Sequence, residues 1–349
     1  MKMHYLAAAA AVFGCTTASA ATLADLAKEV TASGWISGSY AYNFNDSNGL
    51  IQGRVADVQA DSFVLNQAVL NLSSAPTEGF GGTVMLLAGE DAANVINPSY
   101  GDTDDKLAVQ QAYLSYAAGD LTVIAGRYNS LAGYEVLADP SNTTLSRSLV
   151  YINAQPYFHT GVRAAYKASD AATLFLGLAN SAALGASVDA NDPKTIEVGG
   201  LFTLSPAVTV GIYDYFGVEA GDTGKNTNYL DFVGTLTATD TLSFAINADY
   251  FSQEDTVDVV GVAGYATLKL NDMWSATVRL ENVNIEPDAG SDLTINEATL
   301  ALTYAPASNF KMFFEGRVDD ADADIYIDGT DFTGTQPTLG VKAIYTFGM

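Results

Sequence analysis

Sixteen short segments of this chain carry apolar residues at every second position, and the connections between them alternate between short and long. Successive side chains of a β-strand point to opposite faces, so each segment predicts a strand with one apolar and one polar face. In the last segment Leu339 and Val341 lie on one face, Lys342 and Thr346 lie on the other, and only Ile344 departs from the pattern. A soluble sandwich can show the same alternation, so the strand count and the loop lengths must decide the fold.

The predicted strands cover 34–45, 62–73, 80–90, 107–117, 121–128, 158–167, 172–180, 195–204, 208–216, 227–237, 241–252, 257–270, 273–283, 293–304, 310–319 and 336–347. The short connectors are turns of residues that tolerate turn geometry, such as 118–120 and 271–272. The others are mostly long: 46–61, 91–106, 129–157, 181–194, 217–226, 284–292 and 320–335, with 253–256 as the exception. An even strand number with short periplasmic turns and long outer loops is typical of outer-membrane barrels.

The fold predicted is therefore all-β, a transmembrane antiparallel β-barrel of sixteen strands. After the first twenty residues no run reaches the roughly 18 apolar residues that a membrane helix needs. Strands in lipid must close into a ring, because an open sheet edge leaves backbone groups unpaired. Rows such as Leu174, Leu176 and Leu178 are expected to face lipid, and rows such as Asn247 and Asp249 to face the lumen. The facing of Arg127 stays open.

The first residues read as an export signal. One lysine, an apolar run over 6–14 and the small residues Ala18-Ser19-Ala20 predict a signal peptide over 1–20. The only cysteine, Cys15, would leave with it. Residues 21–33 predict a short periplasmic helix, and 34–349 the barrel. The predicted location is the outer membrane of a Gram-negative bacterium.

The charge of the chain is strongly acidic. There are 40 acidic and 15 basic residues, and the formal net charge is −25. Nucleic acid is therefore not expected as a partner. The 16 phenylalanines and 19 tyrosines argue against disorder, since disordered acidic chains lack aromatic residues. The charges are expected on water-facing strand faces and in loops.

A sixteen-stranded barrel is wide enough for an aqueous bore, which predicts passive diffusion of small hydrophilic solutes or ions. The long connector 129–157 carries Glu135, Asp139 and Arg147, and these residues with Arg163 are the candidate pore constriction. Charges of both signs in a narrow lumen would sieve solutes by size and charge. The alternative is a surface loop that packs on the rim.

Several short motifs stand out: Gly126-Arg127-Tyr128, Gly133-Tyr134-Glu135, Ser146-Arg147-Ser148-Leu149, the run from Pro156 to Arg163, Asn66-Gln67-Ala68 and Gln111-Ala112-Tyr113. They resemble a known family of Gram-negative outer-membrane porins, the putative β-barrel porin-2 (OmpL-like) family. The resemblance covers about 126–166 with upstream support, and beyond Tyr166 it is one of barrel pattern only. It implies a porin and brings no assured substrate.

Further charges on the predicted inner faces are candidates for the pore wall: Asp231, Asp249, Lys269, Arg279, Glu281, Glu297, Glu315 and Arg317. A mild cation preference is expected mainly from acidic loops at the mouth, one with Asp102, Asp104 and Asp105 and another with Asp320, Asp322, Asp324, Asp328 and Asp331. The field of such loops reaches only about 8 Å at physiological salt, so they act only where they overhang the pore.

The second acidic loop is also a weak metal candidate, through Asp320, Asp322, Asp324 and Asp328. Carboxylates at alternate positions can converge on a hard cation, but Ile325 stands where a calcium loop of the EF-hand type needs glycine. Loosely bound Ca²⁺ or Mg²⁺ is one interpretation, and a solvated acidic loop is the other. No further cofactor is indicated.

Two other classes of function stay open. An outer-membrane hydrolase would need His159 beside Ser146 or Ser148 with an acid such as Glu135, although the chain is not expected to be an enzyme. A non-transporting surface barrel, adhesive or structural, would use the loops. The expected partners are outer-membrane lipid and lipopolysaccharide, small hydrophilic solutes, and two further copies of the chain in a homotrimer.

Overall fold

Sixteen strands form the wall of the molecule in the computed structural model, which describes residues 30–100, 105–182, 192–219 and 224–348. The wall strands are β1 Thr31–Asn43, β2 Ser62–Ser74, β3 Gly79–Ala88, β4 Leu107–Ala118, β5 Leu121–Asn129, β6 Phe158–Ser169, β7 Ala172–Ala179, β8 Thr195–Ser205, β9 Val208–Glu219, β10 Lys225–Thr237, β11 Leu242–Gln253, β12 Val257–Lys269, β13 Trp274–Pro287, β14 Leu293–Ala307, β15 Phe310–Ala321 and β18 Thr335–Phe347. A small hairpin, β16 Tyr326–Asp328 and β17 Asp331–Thr333, lies in the last long loop.

The wall closes on itself. Each strand pairs antiparallel with its neighbours around the ring, and β1 pairs with β18 from Gly34 opposite Phe347 to Asn43 opposite Thr338. Closure leaves no sheet edge with unpaired backbone groups, which is the condition for a β-structure that spans lipid. The prediction of a closed, sixteen-stranded antiparallel barrel is confirmed.

The predicted strand positions agree with the observed strands throughout. Every predicted span overlaps one wall strand, and the largest error is at the end of β13, which continues to Pro287 where 283 is the predicted end. The first strand begins at Thr31, so the last three residues of the predicted helix over 21–33 belong to β1. The predicted signal peptide and residues 21–29 lie outside the described residues, as do Asp102 and Asp104.

The two faces of the wall separate as the alternation predicts. Leu176 is 60% exposed on the lipid-facing side, whereas Arg279 on the inner side is 0% exposed. Ile344, the exception in the last strand, points inward and packs in a cluster with Trp35. Tyr166, Tyr345 and Phe347 are exposed near strand ends, and the Tyr304 ring lies 4.7 Å from the Trp274 ring between centroids, as in the aromatic girdles of membrane barrels.

Arg127 of β5, whose facing the sequence leaves open, is buried inside. Its guanidinium carbon lies 3.8 Å from the centroid of the Phe158 ring, and Phe158 belongs to the inner cluster of Trp35 and Leu145. Gly126, just before it, has a φ of +137° that other residues rarely adopt. This local departure from regular strand geometry lets two successive side chains, Arg127 and Tyr128, both become buried.

Only short helical segments lie among the described residues. They are the π-helix Ala92–Ile96, the 3₁₀-helices Asn97–Tyr100 and Asp139–Ser141, and the α-helix α1, Leu149–Ala154. The Ser148 hydroxyl caps α1 by accepting a hydrogen bond from the Tyr151 N–H at 2.9 Å. None of these helices has the length and apolar character to cross a membrane.

Candidate functional site

The long connector after β5, residues 130–157, lies inside the barrel and is here called the inner loop. Its charged residues Glu135, Asp139 and Arg147 are all at most 1% exposed. It contacts β1 through Ser37 and β10 through Asp231, and these strands are seven places apart in the ring of sixteen. The loop therefore crosses the bore from one side to the other, and the alternative of a loop packed on the rim is not what the structure has.

The tip of the inner loop is fixed by the Asp139 carboxylate. It accepts hydrogen bonds from the Ser37 hydroxyl at 2.5 Å, from Arg147 at 2.7 Å and from the Lys342 ammonium at 3.0 Å. Burial acts to raise the pKa of Asp139, but Lys342 and Arg147 outweigh it and lower the pKa to about 2. The carboxylate is therefore ionised at any physiological pH.

This tip reaches the end of the barrel where the tight turns lie. Lys311, the second residue of β15, donates from its ammonium to the Pro140 carbonyl at 2.7 Å and to the Asn142 carbonyl at 3.1 Å. A cleft of about 620 Å³ between Pro140 and the turn residues opens at this end. The inner loop thus descends through nearly the whole height of the barrel.

One part of the bore holds the loop by matched charges. This charge-paired wall is formed by the inward residues Arg279 and Glu281 of β13, Glu297 of β14, Glu315 and Arg317 of β15, and Lys342 of β18.

Arg279 is its centre, because it pairs with Glu135 of the loop at 2.7 Å and with the wall carboxylates of Glu281 and Glu297 at 2.7 and 3.1 Å. Every arginine there has at least one carboxylate within 2.7 Å.

The loop backbone is also bound by this wall. The Glu315 carboxylate accepts from the N–H groups of Leu145 at 2.7 Å and Ser146 at 3.1 Å, and Arg317 donates to the Arg147 carbonyl at 2.6 Å. Charged hydrogen bonds of this kind are roughly twice as strong as neutral ones. They fix the second half of the inner loop.

A second part of the bore binds the start of the loop, at Gly133 and Tyr134, through side chains that carry no positive charge. This acidic wall consists of Asp231 on β10 and Asn247 and Asp249 on β11, and the two aspartates are register partners. The Gly133 N–H donates to Asp231 at 3.0 Å, and the Tyr134 N–H donates to the Asn247 side-chain oxygen at 3.0 Å. All three wall residues are at most 3% exposed.

Gly133 is required by this contact for two reasons. Its φ is +90°, and a Cβ there would lie 1.9 Å from Oε1 of Gln155. A side chain at this position would therefore be strained and would also collide with the buried Gln155 side chain. The glycine lets the backbone N–H reach Asp231.

Two other outer loops also enter the bore. Arg54 of the first loop pairs with Asp319 at 2.5 Å. Asp91 of the second loop accepts from the Gln67 amide at 2.6 Å, and the same amide donates to the Leu137 carbonyl of the inner loop at 2.7 Å. Burial raises the pKa of Asp91 to about 7, and the nearby Asp139 carboxylate adds to the shift.

Three of the four candidate constriction residues, Glu135, Asp139 and Arg147, lie together inside the bore. The fourth, Arg163, is separate from them, since it pairs with Glu197 of β8 at 2.6 Å and stacks over the Tyr128 ring. Of the candidate wall residues, all but one lie in the buried band around the loop: Asp231, Asp249, Arg279, Glu281, Glu297, Glu315 and Arg317.

Lys269 is the exception, because it lies apart from this buried band. Its side chain is about half exposed and pairs with Asp272 of the adjacent tight turn at 2.9 Å. The residue is the last of β12. It belongs to the mouth at the tight-turn end.

The four aspartates of the weak metal candidate are not brought together. Asp322 accepts from the Thr294 N–H at 3.0 Å, and Asp328 accepts from the Asp46 N–H at 3.0 Å, so they bind different neighbours. Asp320 and Asp324 complete no ligand group with them, since the described residues contain no cluster of three or more metal-ligating side chains.

His159 does not contact the serines that a hydrolase would use. Its Nδ1 lies 3.1 Å from the Ser181 carbonyl, and its ring stacks on Tyr215 with centroids 4.5 Å apart. The Ser146 hydroxyl instead accepts from the Arg279 and Arg317 guanidinium groups, each at 3.0 Å. The geometry gives no nucleophile and base pair at this position.

Several residues that hold the loop were not singled out from the sequence as site residues. They are Ser37, Gln67, Tyr215 and Lys342, which come from strands far along the chain. The only signal for Lys342 was a lone ammonium on the polar face of an otherwise uncharged strand.

A family model described as putative beta-barrel porin-2, OmpL-like, matches residues 29–347 of the chain. No curated protein sequence matches it.

Among solved structures, the in-vitro folded trimer form of OmpT, an outer membrane protein of Vibrio cholerae, is similar with a TM-score of 0.63 at 13% identity, covering 91% of this chain and 99% of that one. The outer membrane channel DcaP of Acinetobacter baumannii has a TM-score of 0.61 at 14% identity, covering 91% and 97%. An anion-selective porin from Comamonas acidovorans has a TM-score of 0.62 at 12% identity, covering 91% and 99%. At these identities the likeness is one of fold.

Proposed function

The chain belongs to the putative beta-barrel porin-2, OmpL-like family of outer-membrane porins, and from this premise we propose that it is a passive diffusion channel for small hydrophilic solutes and ions with a mild preference for cations. The proposal goes beyond family membership in the class of solute and in the charge preference.

The balance of charge inside the bore carries the cation preference. The buried cations Arg147, Arg163, Arg279, Arg317 and Lys342 are each ion-paired with a carboxylate. Asp231 and Asp249 form no ion pair with a lysine or arginine in the described parts of the chain, and each keeps one buried oxygen without a donor. These two residues therefore supply negative charge that no described lysine or arginine pairs with, which lowers the energy of a passing cation.

The inner loop is the selectivity element in this proposal. Glu135, Asp139 and Arg147 fix its path by binding the charge-paired wall, while the acidic wall supplies the field that a solute meets. Arg163 is paired with Glu197 and contributes to the electric field of the barrel wall beside the inner loop. The mouth acids of the loop 320–335 add a weaker, salt-screened contribution.

The surroundings proposed for the channel are lipid and lipopolysaccharide on the outer face and two further copies in a homotrimer. The trimeric form of the structurally similar OmpT supports the trimer. Loosely bound Ca²⁺ or Mg²⁺ at the acidic loops would bridge lipopolysaccharide phosphates. No catalytic role is proposed.

Planar-bilayer recording of the purified protein under a KCl gradient tests the function. We expect stepwise conductance with a reversal potential biased toward K⁺. Steps with a Cl⁻ bias would refute the preference but not the channel, and a folded barrel without steps at any pH would instead support an adhesive or structural barrel.

A further inference from the structure

The start of the inner loop is attached to the wall beside a carboxyl pair. Asp231 and Asp249 stand opposite each other on β10 and β11, within hydrogen-bonding reach of one another. The Asn247 amide nitrogen donates to both, at 2.8 Å to Asp231 Oδ2 and at 2.8 Å to Asp249 Oδ1. Asp231 Oδ2 also receives the Gly133 N–H of the loop.

The remaining two oxygens, Asp231 Oδ1 and Asp249 Oδ2, have no donor. Two ionised carboxylates this close and this deeply buried repel each other strongly. One proton held between the two groups removes a negative charge and gives each remaining oxygen a partner. All four carboxyl oxygens of the pair then have a hydrogen-bond partner, and Asp231 is the ionised member that binds the loop.

The groups packed around the pair supply no counter-charge. Tyr213 on β9 is the register partner of Asp231, Gly261 on β12 is the partner of Asp249, and Gly133 and Tyr134 cover the pair from the loop. The flanking ionisable groups are already bound to others: Arg163 to Glu197, and Glu135 to Arg279.

We propose that the Asp231–Asp249 pair is a pH-sensitive latch, which holds Gly133 and Tyr134 of the inner loop at the acidic wall while the carboxyls share a proton and releases them when that proton is lost to water. The inference extends the proposed channel function by giving the channel a closed and an open state.

The direction of the switch follows from the charges. At low pH the proton is shared, the Gly133 and Tyr134 N–H groups have their acceptors, and the bore is narrow. At high pH the pair carries two negative charges, which separate and draw water and cations between them, so the two backbone N–H groups lose their fixed acceptors. The tip stays in place, because Asp139 remains ionised and bound to Arg147 and Lys342.

Cysteine labelling measures the release without depending on conductance. In a C15S background, Ala132→Cys places a thiol next to Gly133 and Tyr134, which the latch releases. Ala154→Cys places a thiol in the part of the loop that the charge-paired wall binds. Both alanines are buried. The ratio of labelling rates with a water-soluble thiosulfonate cancels the ordinary pH dependence of a thiol. Release of one proton changes the open-to-closed ratio about tenfold per pH unit below its midpoint, so we expect this ratio to rise by up to that factor.

Asp249→Asn is the decisive variant, since an amide at 249 can donate to Asp231 Oδ1 at every pH. We expect its labelling ratio to stay low and flat from about pH 5 to about pH 9. Asp214→Asn is the matched control, because Asp214 lies elsewhere on β9 and binds Asn228; it should keep the wild-type rise. A rise that survives in Asp249→Asn, or a wild-type ratio that is flat, would overturn the latch.

Single-channel recording then relates the latch to transport. We expect wild-type conductance to increase with pH in parallel with the labelling ratio, and Asp249→Asn to stay at the low-pH level. A pH-dependent labelling ratio in a protein that never conducts would support the latch and refute the proposed function, whereas steady pH-independent conductance with flat labelling would refute the latch alone.

Discussion

The two walls that hold the inner loop use different chemistry. On the charge-paired wall, Arg279 and Arg317 meet carboxylates of both wall and loop at 2.6–3.5 Å, and the loop backbone is bound by charged groups. On the acidic wall, the loop is bound through two backbone N–H groups to Asp231 and Asn247, and no described lysine or arginine pairs with that wall.

Because of this difference, the charge-paired wall anchors the loop and the acidic wall selects among passing ions. Each member of a buried ion pair is stabilised by the opposite charge of the other, and removing one leaves the other as an uncompensated buried charge. Such a wall fixes the loop but presents little net field. The acidic wall binds the loop through two backbone N–H groups, and its unpaired carboxylates leave negative charge in the bore. The inner loop is thus held firmly at its tip by the charge-paired wall, while near its start it lies beside the acidic wall, whose negative charge selects among passing ions.

Removal of Arg279 should break the charge-paired wall and have the largest effect. Arg279→Met leaves Glu135, Glu281 and Glu297 buried without their shared cation, and breaking a buried ion pair costs about 3–5 kcal/mol. We expect a lower unfolding temperature in detergent and larger, noisier conductance steps as the loop detaches. Lys269→Met, at the exposed mouth, is the matched control and should behave as wild type. An Arg279→Met protein as stable as this control would show that the wall is not the anchor.

Asp91→Asn tests a titrating carboxyl group beside the firm anchor. A carboxyl whose pKa is about 7 in the fold and about 3.9 when unfolded destabilises the fold increasingly between these pH values. The stability that the neutral form supplies is fully present below about pH 4 and is lost as pH rises to about 7, amounting to up to about 4 kcal/mol at 1.36 kcal/mol per pH unit. We expect Asp91→Asn to equal wild type near pH 4 and to be more stable above pH 7.

Equilibrium unfolding in urea at a series of pH values measures this. The control is Asp61→Asn, because Asp61 is exposed directly before β2. Asp57 is unsuitable as a control because it pairs with Arg54. Equal gains for Asp91→Asn at pH 4 and pH 8 would contradict the assignment.

The barrel could be read from the sequence because it rests on a local rule. Within each strand of eight to fifteen residues, the alternation of apolar and polar side chains determines which face meets lipid. Each strand shows this alternation independently, so a wrong boundary at one strand does not affect the prediction of the next. The departures are local as well: Ile344 points inward because a hydrophobic cluster forms there, and Arg127 follows a glycine with unusual backbone geometry.

The loop anchors could not be read in the same way. The length of the connector 129–157 and its charges indicated the residues on the loop, but their partners are set by how the ring closes. Asp139 meets Ser37 and Lys342, which are 102 and 203 positions away. Lys269 shows the related limit, since alternation gives the face of a residue but not its height in the bore.

Glu315→Gln should weaken the anchor without leaving a charge unpaired. The Glu315 carboxylate accepts from the N–H groups of Leu145 and Ser146 with different oxygens, and an amide replaces one of these oxygens with an NH₂ group that cannot accept from the N–H it faces. The loss of one charged hydrogen bond to a buried donor costs about 1–3 kcal/mol. We expect a modest fall in unfolding temperature and easier protease cleavage in the inner loop. Cleavage unchanged from wild type would place the anchor elsewhere.

The smallest and most specific effect is expected from neutralising one acid at a time, because this separates a field inside the bore from a field at the mouth. Asp231→Asn removes a charge within the bore, where a cation passing at about 4 Å in water gains roughly 1 kcal/mol, or about fivefold in relative permeability.

Asp331→Asn removes a charge from the exposed hairpin β16–β17 of the outer loop, where salt screens charges beyond about 8 Å. Reversal potentials under a KCl gradient should therefore show a clear loss of K⁺ preference for Asp231→Asn and a small one for Asp331→Asn. The reverse order would move the selectivity from the acidic wall to the mouth, and the unpaired carboxylates of the bore would then serve only to hold the loop.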